Sequence, residues 1–307
     1  MESLFVPLSL LAGGLLAVQA GANAQLSKAV GSPFAATTLQ LGIGTGLLFL
    51  VTLLTGTLAV LGAVPQAEWW HLAGGTASAV YVVSTIVLFP RLGAVVSVGL
   101  FIAGQMLASL ALDSFGLLGV LQTGLRAGAA IGTLTVLAGV GLIVFGQGGR
   151  DNLKAGKLGW IALALVAGAA LPVQGAVNAL LRQDLGGASF AVGAISFFVA
   201  TLAMAAVMLV ALALQKAPGP HLGGVRTMPW WGWLGGFAGA TYVTTVFTAI
   251  PVIGAAAAVG FTVAGQQVAS VFVDRYGWFR LPQRPVSGLR LAGVLLLLAG
   301  VALIKLV

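Results

Sequence analysis

The polar groups that this chain carries within its apolar runs are amides, hydroxyls and phenols, and they come in pairs. Gln19 and Asn23 stand four residues apart, so they share one helix face, and Gln174 and Asn178 repeat the pair 155 residues later. Gln105, Ser109 and Asp113 form a stripe at every fourth residue, repeated by Gln266, Ser270 and Asp274 at an offset of 161. Tyr81 and Tyr242 match at the same offset. Such groups cannot do covalent chemistry alone, but they can hold a polar, uncharged or zwitterionic solute, or a small anion. Facing lipid, each unpaired amide would cost several kcal/mol. They must therefore face a partner helix or a wet cavity. Their repetition predicts a substrate site near the midplane, lined by Gln19, Asn23, Gln174, Asn178, Gln105, Gln266, Tyr81, Tyr242, Ser109 and Ser270. The competing reading is interhelical glue, worth roughly 1 kcal/mol per residue.

Other chemistries find no residues. The chain has no Cys and only two His, His71 and His221, both expected near helix ends. No Ser–His–Asp set, HExxH or ligating cluster is present, so neither catalysis, a metal nor a cofactor is expected. The glycine-rich stretches lack the Lys-Ser/Thr of a phosphate loop and read as close helix packing. The acidic residues Glu2, Glu68, Asp113, Asp151, Asp184 and Asp274 all avoid the span centres. Antiport through a buried carboxylate is thus not expected. Asp113 and Asp274 are read as helix caps and loop holders.

The elements that position these groups follow from composition. Of 307 residues, 59% are hydrophobic and 7% charged, against roughly a quarter charged in soluble domains. Apolar runs of about 20 residues, the length of a span, recur along the whole chain. They predict spans at about 4–24, 34–61, 71–89, 93–112, 126–146, 159–180, 189–214, 231–250, 254–273 and 289–306. The fold class is all-α integral membrane, with membrane lipid as a partner and no nucleic acid. The start, MESLFVPLSLLAGG, lacks the basic region of a signal peptide and reads as a mature helix. Trp69, Trp70, Trp230, Trp231 and Trp233 read as interfacial anchors.

Residues 69–116 align without gaps to 230–277, matching Trp69/Trp230, Trp70/Trp231, Tyr81/Tyr242, Pro90/Pro251, Gln105/Gln266 and Asp113/Asp274. Apolar composition alone would not align such rare residues, so the chain is an internal duplication: 1–150 and 151–307. Five spans is an odd number, so the second copy enters the membrane from the other side. That is the inverted repeat of many secondary transporters. The charges agree. Eleven basic residues (Lys28, Arg91, Arg150, Lys154, Lys157, Lys216, Arg226, Arg275, Arg280, Arg284, Arg290) fall on one side, against Arg126, Arg182 and Lys305 on the other. The basic side is expected to be cytoplasmic, which puts both termini outside an inner (plasma) membrane.

The pattern Gln19-Ala20-Gly21-Ala22-Asn23-Ala24-Gln25-Leu26, with its copy Gln174-Gly175-Ala176-Val177-Asn178-Ala179-Leu180-Leu181, resembles the YdcZ-type (EamA-related) branch of the drug/metabolite transporter superfamily. The copies keep small residues but not their order. That branch includes five-span proteins that pair in opposite orientations, and this chain is similar to a fused pair. The resemblance implies a central cavity lined by helices 1–4 and 6–9, with helices 5 and 10 at the periphery or in a homodimer contact. It implies a carrier of a small metabolite-like solute working by alternating access. A channel, a lipid flippase or a membrane assembly factor are the alternatives. The carboxylate of the small multidrug members is missing, which argues against multidrug efflux.

Overall fold

The computed structural model describes residues 2–146, 155–221, 223–283 and 285–306. Among them, ten helices are long and apolar enough to cross a membrane. They are α1 Glu2–Val30, α2 Pro33–Leu54, α3 Trp69–Leu92, α4 Ala94–Phe115 and α5 Ala127–Gly146. The second set is α6 Leu158–Asp184, α7 Ser189–Ala213, α8 Trp230–Ile253, α9 Ala255–Tyr276 and α10 Gly288–Leu306. The division expected at residue 150 falls within 147–154, outside the described residues, as do Arg150, Asp151 and Lys154.

Two boundaries differ from the hydropathy reading. Helix α1 runs to Val30 rather than 24, and the chain turns at Gly31, whose φ of +71° suits glycine. Ser32 then caps α2 by accepting from the Ala35 N–H at 3.4 Å. Helix α2 stops at Leu54 rather than 61 because Gly56 turns left-handed (φ +70°). The Gly56 N–H thereby bonds the Leu53 carbonyl and the Thr57 N–H that of Thr52, both at 3.1 Å, and two hydroxyls add to this cap. Thr55 donates to Val51 at 2.8 Å and Thr57 to Thr52 at 3.2 Å, and a 3-10 run, Leu58–Gln66, follows.

The duplication is visible in the backbone. The turn between α3 and α4 is made by Gly93 (φ 79°, ψ 150°), and that between α8 and α9 by Gly254 (φ 84°, ψ 159°). The two copies also pack antiparallel. A Cβ on Gly132 of α5 would lie 2.6 Å from the carbonyl of Gly300 in α10, and one on Gly139 would lie 2.6 Å from that of Gly293. Numbers rise along one helix as they fall along the other. Helices α2 and α7 do the same, and the hydroxyls of their corresponding residues Thr45 and Thr201 meet at 3.1 Å, on the pseudo-twofold axis.

The halves interlock rather than sit side by side. Helix α1 packs against α8 and α9 of the second half, and α6 packs against α3 and α4 of the first. Glycine makes this approach possible at reciprocal points. A Cβ on Gly13 would overlap the carbonyl of Thr262, and its counterpart Gly168 that of Phe101. Gly265 against Leu10 is matched by Gly104 against Leu165. Backbone lies on backbone here, which is how small residues drive helix association without a hydrophobic effect.

Candidate transport site

The interlock decides where the paired amides go. Gln174 and Asn178 face α3 and α7 and are buried. Ser78 donates to Gln174 Oε1 at 2.8 Å, while Gln174 Nε2 and Asn178 Nδ2 donate to Ser196 Oγ at 3.4 and 3.0 Å. Gly74 leaves room for the Asn178 carbonyl, which has no hydrogen-bond partner. The first copy differs. Gln19 lies against Gly239 of α8, the counterpart of the Ser78 that bonds Gln174. Gln40 stands where the second copy has Ser196. Asn23 Oδ1 and Gln40 Nε2 are buried without partners. The four expected amides thus form two clusters, one per pseudo-symmetric flank, rather than one ring. Ser196→Ala is expected to strip both donors of their acceptor and cost about 1–3 kcal/mol, read as a lower melting temperature. No change would show that the amides are satisfied otherwise.

The remaining expected residues lie elsewhere. Tyr81 packs on Phe101 with ring centres 5.0 Å apart, and Tyr242 is buried. Ser109 is buried and donates to its own helix at Gln105. Gln266 and Ser270 line a cavity of about 270 Å³ together with Gln267, Asp274 and Arg290. Its opposite wall is apolar: Phe89, Val95, Val98, Ile102, Val140 and Ile143. Of the two expected stripes, the one on α9 therefore lines open space and the one on α4 does not.

That asymmetry is the main feature of the structure. The counterparts of the cavity residues, Ala255, Ala256, Val259, Val263, Gln105, Ser109 and Val301, are all buried. Beside Val120 and Ile250, the counterparts of Leu281 and Phe89, lies a pocket of about 10 Å³, room for one water at most. One sequence pattern is thus present as an open half-site and as a sealed one.

The two aspartates mark the difference. On the sealed flank Asp113 reaches across to α9. Its carboxylate accepts from the backbone N–H groups of Ala255 and Ala256, both at 2.7 Å, and so caps the positive end of that helix. It caps a helix, as expected, but the partner helix rather than its own. On the open flank Asp274 accepts instead from Arg290 Nη2 at 2.6 Å, which also donates to Ser270 Oγ at 3.3 Å. The corresponding first turn of α4, at Ala94 and Val95, is left facing the cavity. Arg290 was expected among the loop charges, yet it is 4% exposed and lines the cavity. The available signal was its twin, Ala129: a cation present in one copy only, at the start of a span. His71, expected at a helix end, pairs there with Asp184 at 2.5 Å.

A family model described as "Putative inner membrane exporter, YdcZ" matches the chain twice in succession, at residues 4–142 and 159–303. The chain belongs to the YdcZ family of drug/metabolite transporters. The two YdcZ matches are the two repeats, and ten membrane helices in inverted halves are the resulting fold. The YdcZ chain is thus a multi-pass inner membrane protein of an exporter family rather than of an enzyme family. No curated protein matches it. A solved crystal structure, described only as that of a protein, is similar over 99% of this chain and 97% of its own, with TM-score 0.67 and 16% identity. At that identity the likeness speaks for the fold alone.

Proposed function

We propose that this protein is an alternating-access carrier of a small solute, with the α9-side cavity as the open half-site and its α4-side twin as the closed one. The observation that carries the reading is a single pocket pattern held open in one copy and collapsed in the other. Exchange of the two conformations between the repeats would close the present cavity and open the opposite one. The cavity lies beside the α3–α4 and α9–α10 turns, on the side where basic loop residues concentrate. By that bias it opens to the cytoplasm, the loading side for an exporter, and the termini face outward. A wall of Gln266, Gln267, Ser270, Asp274 and Arg290 opposite an apolar wall suits a solute with a polar end and an apolar body.

The chain has no cysteine, so single thiols can be placed without other changes. Val98→Cys sits in the open half-site, and Val259→Cys, its twin, is 1% exposed in the sealed one. With an impermeant thiol reagent, Val98→Cys should react from the cytoplasmic face about tenfold faster than Val259→Cys, and Val259→Cys only from the outer face. Reaction of both positions from both faces would mean a pore, and protection of both would mean a packed, non-transporting core.

A further inference from the structure

The chemistry of the cavity points to a ligand class. The structure itself shows what a first turn in this position binds: on the sealed flank, the amides of Ala255 and Ala256 hold the carboxylate of Asp113. The corresponding turn of α4, Ala94–Val95, opens on the cavity, and its amides have no acceptor among the described residues. Its own candidate cap, Asp274, is turned onto Arg290. A second group points the same way. Arg290 lines the same cavity, is 4% exposed, and its Nε has no hydrogen-bond partner. A buried guanidinium with an idle donor, beside the positive end of a 22-residue helix, is a place where an anionic oxygen gains charge-assisted bonds. The wall opposite Gln266, Gln267 and Ser270, made of Val98, Ile102, Val140 and Ile143, can take only an apolar body. Arg275 and Arg280, in the last turn of α9 and just beyond it, add to a positive field that draws anions towards it.

Resting on the carrier reading above, we propose that the cavity binds a small amphipathic carboxylic acid. Its carboxylate sits at the first turn of α4 beside Arg290, in the role that Asp113 plays at α9, and its apolar body lies against α4 and α5. A volume of about 270 Å³ lies just below the range of drug-sized pockets, about 300–1,000 Å³, and favours a short chain.

The full-length protein in lipid nanodiscs would be titrated with hexanoate, hexanol and hexylamine, with ligand-induced thermal stabilisation as the readout. Hexanoate should stabilise and the two isosteres should not. Asp274→Asn removes the carboxylate that competes for Arg290, and should enlarge the hexanoate shift. Removing one member of a buried pair can unfold a protein, so the double variant Asp274→Asn/Arg290→Gln, which leaves no charge unpaired, is the loss-of-binding test. It should weaken hexanoate about tenfold. Val98→Trp, which fills the apolar end and touches neither charge, should abolish the shift. Equal stabilisation by hexanol, preference for hexylamine, or full hexanoate binding by the double variant would overturn the proposal. If the thiol experiment above still shows alternating exposure, the carrier reading survives and only the ligand class falls. If neither thiol nor hexanoate reaches Val98, both fail.

Discussion

A leucine at Gly104 or Gly265 is expected to leave almost no folded protein. At each, a Cβ would overlap a carbonyl oxygen of the crossing helix, that of Leu165 and Leu10 respectively. The neighbour is backbone, which cannot swing aside as a side chain can, so the helices must part along their length. Separating them strips the dispersion contacts and exposes buried amides such as Gln174, and the cost should exceed about 4 kcal/mol, beyond ordinary overpacking. Alanine at the same positions already overlaps and should cost less than leucine but clearly more than nothing. Gly46, with open space around it, is the control. The measurement is the monodisperse fraction after detergent extraction. Normal yields of Gly104→Leu would show that the crossings are looser than drawn.

Asp113→Ala is expected to unseal the closed flank. Its carboxylate supplies both acceptors for the first turn of α9, and no other acceptor for these two amides is found among the described residues. Loss of a buried, doubly bonded cap costs about 2–4 kcal/mol. Because that cost falls on the sealed conformation, it should tilt the equilibrium towards the outward-open one. Val259→Cys in this background should react about tenfold faster or more from the outer face, with Val98→Cys slowing in parallel. Asp113→Asn, which keeps one acceptor, should lie between. If thiol reactivity is unchanged while the melting temperature falls, the cap is a structural fastening and has no part in switching.

The ten spans and the duplication could be read directly, because bilayer thickness imposes long apolar runs and because Trp, Pro, Gln and Asp are too rare in them to align by chance. The end of α2 could not be read from hydropathy, since the apolar run continues to residue 61 while the left-handed turn at Gly56 closes the helix at Leu54. The convergence of Gln19 and Asn23 on Gln174 and Asn178 was expected from their repetition, which does not say whether each first helix packs in its own repeat. It packs in the other, so each amide pair meets a different flank, and Ser196 and Gln40, outside the aligned stretch 69–116/230–277, join the clusters unseen. The hardest feature to read was the asymmetry. Asp113 and Asp274 sit in matching stripes, yet Asp113 meets a helix end while Asp274 meets Arg290, three residues into α10, where the first copy has Ala129. A sequence is shared by every state of a protein, and the choice between open and sealed is made by packing.

The exchange of first helices between the halves also constrains synthesis. The glycine flank of α1 at Gly13 docks on Thr262, which leaves the ribosome only after most of the polypeptide has been made. At about 5–20 residues per second, that flank must wait on the order of ten seconds or more in lipid before its counterpart arrives. The amino-terminal five helices released alone would lack the surfaces that α1 requires. The two halves supplied as separate polypeptides should mature only when translated together.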